Sequence, residues 1–193
     1  MKILFIALSF PPGCGASGIT AWKIASLLSR KGHSVSVLCP GSRAIERSPW
    51  FNNKLQVLEI PLLYNTRQRP LRNLMGMVTN RFIDFPASYA GLISSAYKTA
   101  NNELIQSQYD VMITWADPVA SHVVGAKLKG HFAHLPWIVN FTDPWPSAIL
   151  PSPYRRRKIP ILHRHQVKCM SQIMYNAEMV VIPCERMKNH MLK

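Results

Sequence analysis

Hydrophobic positions follow two kinds of pattern along this chain, and the two alternate. Residues 3–10 form a nearly continuous apolar run, the pattern of a strand covered on both faces in a parallel sheet. A glycine-containing loop follows. From Ile19 the period changes, with Ala21, Ile24, Ala25 and Leu28 at i, i+3, i+4 and i+7 and Lys23, Arg30 and Lys31 off that stripe. This predicts a helix whose last turn is basic, which suits the negative end of its dipole. Gly32 is placed to supply a left-handed cap before residues 34–38 return as a strand. The chain therefore opens with a βαβ unit.

The alternation continues. Residues 55–60, 110–115, 137–141 and 179–182 read as strands, and residues 92–106, 119–129 and 162–176 as helices, with Val167, Met170, Met174 and Ala177 on one face of the last. A final helical piece covers 185–193. Strands alternating with helices predict an α/β fold with a Rossmann-like, doubly wound, mostly parallel sheet, in which right-handed crossovers bring the functional loops to one edge. Residues 43–80 carry no sustained period and predict a long excursion. No repeat, low-complexity tract or Gly/Ser linker divides the chain, so residues 1–193 read as a single domain.

Composition narrows the class. With 48% hydrophobic and 17% charged residues the chain is too apolar for disorder and too interrupted for a multispan membrane protein. Lys2 and the apolar run after it resemble the start of a signal peptide, but Pro11-Pro12 spoils the cleavage site suggested by Gly13-Cys14. Cysteines 14, 39, 169 and 184 show neither a Cys-x-x-Cys pair nor a regular short spacing, which argues against a zinc site or a disulfide scaffold and fits a reducing, cytoplasmic setting. The net charge of +14 calls for an anionic partner: nucleic acid, acidic lipid or a phosphorylated substrate.

Half of that charge lies from residue 155 onward, where nine basic and two acidic residues give a net +7, led by Arg155, Arg156, Arg157 and Lys158. A solvated face and contact with an acidic membrane surface are both open readings of this run. No nucleic-acid motif supports a third. Arg67, Arg69, Arg72 and Arg81 interleave with apolar residues, a mixture that suits either a bilayer interface or a helix packed on the sheet.

The loop Gly13-Cys14-Gly15-Ala16-Ser17-Gly18 satisfies G-x-G-x-x-G and, set between strand and helix, would aim free backbone N–H groups at a phosphate. Two features speak against a dinucleotide. Pro11-Pro12 lengthens the turn, and the second strand ends in Leu38-Cys39-Pro40, without the carboxylate that would hold a ribose. Asp117 and Asp143 fall just beyond strand ends, on the ligand edge of such a sheet, with His122 close to the first. Any of the three could orient a ligand hydroxyl or take its proton; an Asp before Pro is equally a turn former or helix cap. No Asp-x-Asp occurs, so no metal is expected.

These residues together carry a more specific likeness. Ile3-Leu4-Phe5-Ile6, Phe10-Pro11-Pro12, Gly13, Gly15 and Gly18, the helix ending Lys31-Gly32-His33, and Val35-Ser36-Val37-Leu38 resemble the N-terminal half of family-4 retaining glycosyltransferases of the GT-B fold. Pro118-Val119-Ala120-Ser121-His122 and the stretch from Pro136 to Pro146 resemble a subgroup whose corresponding strand ends in Arg-Asp-Leu-Trp-Pro or Arg-Asp-Pro-Trp-Pro; Thr142 stands here in place of that arginine.

The resemblance implies a two-domain enzyme in which this N-terminal half holds the acceptor, with the glycine loop beneath the donor phosphates. The donor-binding C-terminal domain is expected to be absent from these 193 residues, and transfer by the chain alone is not expected. The implied partners are a nucleotide-sugar, as substrate rather than cofactor, a glycan or lipid-linked acceptor of surface polysaccharide synthesis, and a matching C-terminal domain or partner chain. Position at the inner face of a membrane stays open. Two other classes also stay open: an NAD(P)-dependent oxidoreductase, and a noncatalytic basic module docking on acidic membrane or a partner chain.

Overall fold

The computed structural model describes residues 1–11, 14–41, 55–61, 90–116, 119–146, 149 and 160–192. Along these the order is β1 (Lys2–Ala7), α1 (Ala16–Arg30), β2 (Ser34–Pro40), β3 (Leu55–Ile60), α2 (Ala90–Gln106), β4 (Val111–Trp115), α3 (Ala120–His131), β5 (Trp137–Asn140), α4 (Pro160–Asn176), β6 (Met179–Val181) and α5 (Glu185–Met191). The six strands form one sheet in the order β3-β2-β1-β4-β5-β6, with every pair parallel. This is the doubly wound Rossmann-like order, reversing direction between β1 and β4. The expectation of an α/β, mostly parallel, doubly wound sheet in one domain is met. The long excursion at 43–80 lies largely outside the described residues.

Two apolar layers hold the sheet. One contains Ile3, Phe5, Ala7, Val35 and Val37 against Ala21 and Ala25 of α1. The other contains Leu4, Ile6, Met112, Val139 and Trp137 against α2, α3, α4 and α5. The alternation of Leu4 and Ile6 with Ile3 and Phe5 between the layers is why β1 reads as a continuous apolar run. Met170, Met187 and Met191 are core residues of the second layer and Met174 packs against it.

Several boundaries move for local reasons. β1 stops at Ala7, paired with Trp115, because Leu8 turns its N–H to the Ser121 hydroxyl (3.2 Å) instead of the sheet. Leu8 and Phe10 remain buried as loop residues, so the apolar pattern outlasts the strand. α1 begins at Ala16, one turn before its apolar stripe, with Gly15 as N-cap. At its other end Gly32 takes φ +89°, its N–H bonds Ser29 O and the His33 N–H bonds Leu28 O. This is a complete Schellman closure, which needs the left-handed conformation that glycine adopts freely.

Candidate functional site

At the C-terminal edge of the sheet, where the order reverses, three chain segments meet. The first turn of α1 arrives from β1, Ala116 follows β4, and Thr142 and Asp143 follow β5. The Ser17 hydroxyl donates to the Ala116 carbonyl over 2.7 Å. The Thr142 hydroxyl lies 3.5 Å from Ser17 Oγ, 3.5 Å from that carbonyl and 3.5 Å from Asp143 Oδ2. The Ala116 N–H in turn bonds Asn140 O at 2.9 Å, locking the ends of β4 and β5 together.

The start of α1 presents donors that have no partner within the helix. The earliest helical N–H with an intrahelical partner is that of Ile19, to Gly15 O at 3.2 Å, which leaves those of Ala16, Ser17 and Gly18 outside the ladder. No acidic residue stands in the first turn and no side chain caps it. The positive end of the helix dipole therefore faces the edge with no acidic residue of its own first turn to offset it, an arrangement suited to an anionic ligand.

The glycines divide by role. A Cβ built on Gly15 meets nothing within 4 Å, so this exposed position leaves the backbone open to approach. A Cβ on Gly18 would lie 2.5 Å from Cys14 Cβ, 2.8 Å from Cys14 Sγ and 3.0 Å from Ser9 Oγ. Gly18 is there because α1 packs directly against the loop after β1. Gly13 lies outside the described residues, as do Asp117, Arg67, Arg69, Arg72, Arg81 and the run Arg155, Arg156, Arg157 and Lys158. Ala16 is exposed and Ser17 half-buried. Burial pushes the Cys14 thiol up, outweighing its own backbone hydrogen bond, so it stays protonated.

Asp143 is exposed at this edge, next to Thr142. His122, by contrast, is sealed inside the fold at 0% exposure. Its Nδ1 lies 2.8 Å from Thr114 Oγ1, and its ring meets Phe141 edge-on at 4.6 Å. Burial drives its pKa down to about 3, the backbone of Asn140 pulling the other way, so the imidazole is neutral. A neutral, enclosed ring cannot reach a ligand hydroxyl at the sheet edge. It instead joins a polar cluster with Thr114, whose hydroxyl also accepts from Trp137 Nε1 at 2.9 Å. When Thr114 donates to Nδ1 the ring carries its proton on Nε2, which has no hydrogen-bond partner among the described residues.

Sequence reading alone did not pick out this cluster, nor Ser121, whose hydroxyl takes the Leu8 N–H. One available signal was Gly125, a glycine inside a helix. A Cβ there would meet Thr114 Cγ2 and Trp137 Cζ2, each at 2.7 Å, so it marks where α3 closes on β4 and β5. A separate groove of about 470 Å³ lies between β3 and α2, lined by Glu59, Lys98 and Glu103 among others, two strands from the point of reversal. Among the described residues no cluster of His, Cys, Asp or Glu could hold a metal, and no helix is long and apolar enough to cross a membrane.

No protein-family model matches the chain, and neither does any curated protein. Solved structures do match by fold. Sucrose-phosphate synthase from Thermosynechococcus elongatus superposes with a TM-score of 0.65 at 13% identity over 99% of this chain. Trehalose-6-phosphate synthase from E. coli, bound with UDP-2-fluoro glucose, gives 0.54 at 11% identity over 100%. The chain spans 44% and 42% of those two proteins. Both neighbours are GT-B glycosyltransferases, and the six-stranded parallel domain described here has the fold of a Rossmann-like half of that architecture.

Proposed function

We propose that this chain is the N-terminal, acceptor-side half of a family-4-like glycosyltransferase, acting with a donor-binding half supplied in cis or in trans. The reaction moves a sugar from a nucleotide-sugar to a hydroxyl of a glycan or lipid-linked acceptor in surface polysaccharide synthesis. The observation that carries this reading is the junction of Ser17, Ala116 and Thr142 at the strand-order reversal, with the uncapped start of α1 beside it. The fold likeness to two glycosyltransferases, one bound with UDP-2-fluoro glucose, is consistent with it.

In this reading the N–H groups of Ala16, Ser17 and Gly18 face the donor diphosphate, and Gly15 lets it come close. They stabilise negative charge as it develops on the leaving group, donors fixed in advance by the helix. Asp143 accepts a hydrogen bond from the acceptor hydroxyl and orients it toward the sugar carbon. Asp117 is a second candidate for that task. His122 acts only through the packing that holds the ends of β4 and β5. An oxidoreductase reading has less support, since β2 ends in Cys39 and Pro40, followed by Gly41, without a carboxylate for a ribose.

The test is donor-dependent turnover and calorimetric titration with UDP- and dTDP-sugars, on the chain alone and mixed with a matching C-terminal half. The expected result is transfer only in the mixture. The loss of one charge-stabilising donor typically costs about 100-fold to 1000-fold, and in this reading the other half brings several of them. Robust transfer by the isolated chain would overturn the half-enzyme reading, and no nucleotide-sugar binding by either sample would overturn the activity.

A further inference from the structure

Thr142 stands in the middle of the junction without being held closely by any part of it. Its Oγ1 lies 3.5 Å from Ser17 Oγ, 3.5 Å from the Ala116 carbonyl oxygen and 3.5 Å from Asp143 Oδ2. Hydrogen bonds between oxygens settle near about 2.7–2.8 Å, so all three contacts are long. Among the described residues the Thr142 hydroxyl has no other partner. Thr142 is half-buried and Asp143 exposed, so the pair stands where the sheet edge meets solvent.

This group of oxygens is short of hydrogens. Ser17 commits its own to the Ala116 carbonyl at 2.7 Å. The Thr142 hydrogen serves one neighbour at a time, and a carbonyl or a carboxylate only accepts. Among the described residues no cation makes up the difference, since Asp143 has no ion pair. Lone pairs on Thr142 Oγ1 and Asp143 Oδ2 are therefore left side by side, 3.5 Å apart. A ligand that completes them must bring donors. Ammonium groups and hydroxyls both qualify by hydrogen bonding, and the surroundings choose between them. Ser17 belongs to the first turn of α1, so the positive end of that helix lies against the same oxygens and opposes a second positive charge. Neutral hydroxyls meet no such opposition, and two acceptors this close suit two hydroxyls on neighbouring ring carbons.

We infer that Thr142 and Asp143 together read a pair of adjacent hydroxyls on a sugar ring, with Thr142 as the specificity-determining member. Asp143 takes the hydroxyl to be oriented for transfer. Thr142 turns its hydrogen to the carboxylate and accepts from the neighbouring hydroxyl, each bond polarising the other. A sugar without that second hydroxyl leaves Thr142 Oγ1 unmatched and binds less well. The inference rests on the sugar-binding site proposed above, but its test reads binding and not transfer, so the two can fail separately.

The experiment is an NMR titration of the isotope-labelled 193-residue chain with methyl glycosides of glucose, galactose and mannose, and with the same glycosides lacking one ring hydroxyl. At least one glycoside is expected to bind, and loss of the hydroxyl read by Thr142 to weaken it roughly 5-fold to 10-fold, the net effect of one hydrogen bond. Thr142→Val, and Thr142→Ala in case the first misfolds, should bind the glycoside and its deoxy analogue alike. Thr142→Ser should keep the discrimination, a pattern that lost packing would not produce. UDP-glucose against UDP-2-deoxyglucose is the second arm. Discrimination there alone places the hydroxyl pair on the donor, which supports the inference and overturns the acceptor role of Asp143. Absence of binding to every glycoside and to UDP-glucose overturns the inference, as does undiminished discrimination by Thr142→Val or Thr142→Ala. Tighter binding of ethanolamine than of any glycoside would assign the oxygens to a cation and overturn it too. Sugar transfer without discrimination would remove the inference and leave the proposed reaction standing; discrimination without transfer would do the reverse.

Discussion

Ser17 and Ala116, 99 positions apart in sequence, are joined by a 2.7 Å hydrogen bond from the Ser17 hydroxyl to the Ala116 carbonyl. The bond ties the first turn of α1 to the end of β4 at the point where the strand order reverses. A glycine-rich loop alone would leave the direction of the α1 N–H groups to local conformation; this bond sets it against the rest of the sheet.

Ser17→Ala should lower stability by about 1 kcal/mol in urea unfolding, the usual net value of one such bond. Thr142, at 3.5 Å from the same carbonyl, is too far to replace it fully. If the chain acts as proposed, nucleotide-sugar affinity should fall as well. Wild-type stability and affinity together would show that the bond has no part in placing α1.

Gly15→Val and Gly18→Val should fail in different ways. At Gly15 the added side chain meets open space and φ is −80°, so the melt should drop by no more than about 1 kcal/mol equivalent, from the weaker N-cap, while diphosphate binding is lost. At Gly18 it meets Cys14 at 2.5 Å, and overpacking of that kind costs about 1–3 kcal/mol or more. Thermal melts and titration with a nucleotide diphosphate separate the two. Equal destabilisation by both variants would remove the ligand role of Gly15.

His122 makes stability sensitive to mild acid. Its folded pKa, about 3, is far below the ordinary value of 6.5, so only the unfolded chain takes up this proton between the two. The contribution is fully present above the unfolded value and lost as pH falls toward the folded one, at up to about 1.4 kcal/mol per pH unit. His122→Asn can keep a hydrogen bond to Thr114 without titrating. It should flatten the slope of unfolding free energy between pH 6.5 and lower values, whereas an unchanged slope would mean that the ring is not held neutral.

The Glu178–Lys129 pair acts at lower pH. Lys129 Nζ donates to the Ala133 and Leu135 carbonyls and to Glu178 Oε1, while Glu178 Oε2 accepts the Trp137 N–H at 2.6 Å. Burial of the carboxylate works against its charge, but the bonds from Lys129, Trp137 and its own backbone outweigh this, and its pKa lies below the usual value. Its stabilisation is present above the unfolded carboxylate pKa and lost as pH falls through the lower folded one. With the Glu178 side chain 49% exposed, Glu178→Gln should cost under about 1 kcal/mol at neutral pH, and the difference from wild type should shrink in strong acid. A pH-independent difference would assign the loss to packing.

The sequence by itself determined the alternation of elements, the parallel character of the sheet and the closure of α1 at Gly32. Each depends on residues within a few positions of one another: the apolar run of β1, the stripe from Ala21 to Leu28, one glycine just past a helix end. It also placed Asp143 and Ser17 at the ligand edge, because strand-to-helix order alone decides which loops lie there. The junction of Ser17, Ala116 and Thr142, the packing role of Gly18 and the enclosure of His122 were decided by the tertiary structure. His122 has the sequence surroundings of a helix residue near a loop, and only the approach of Thr114, Phe141 and Trp137 turns it inward. Local pattern specifies which face of an element is apolar. Which polar groups meet on that face depends on the register between strands that are distant in sequence, and register is set by the packing of the whole sheet.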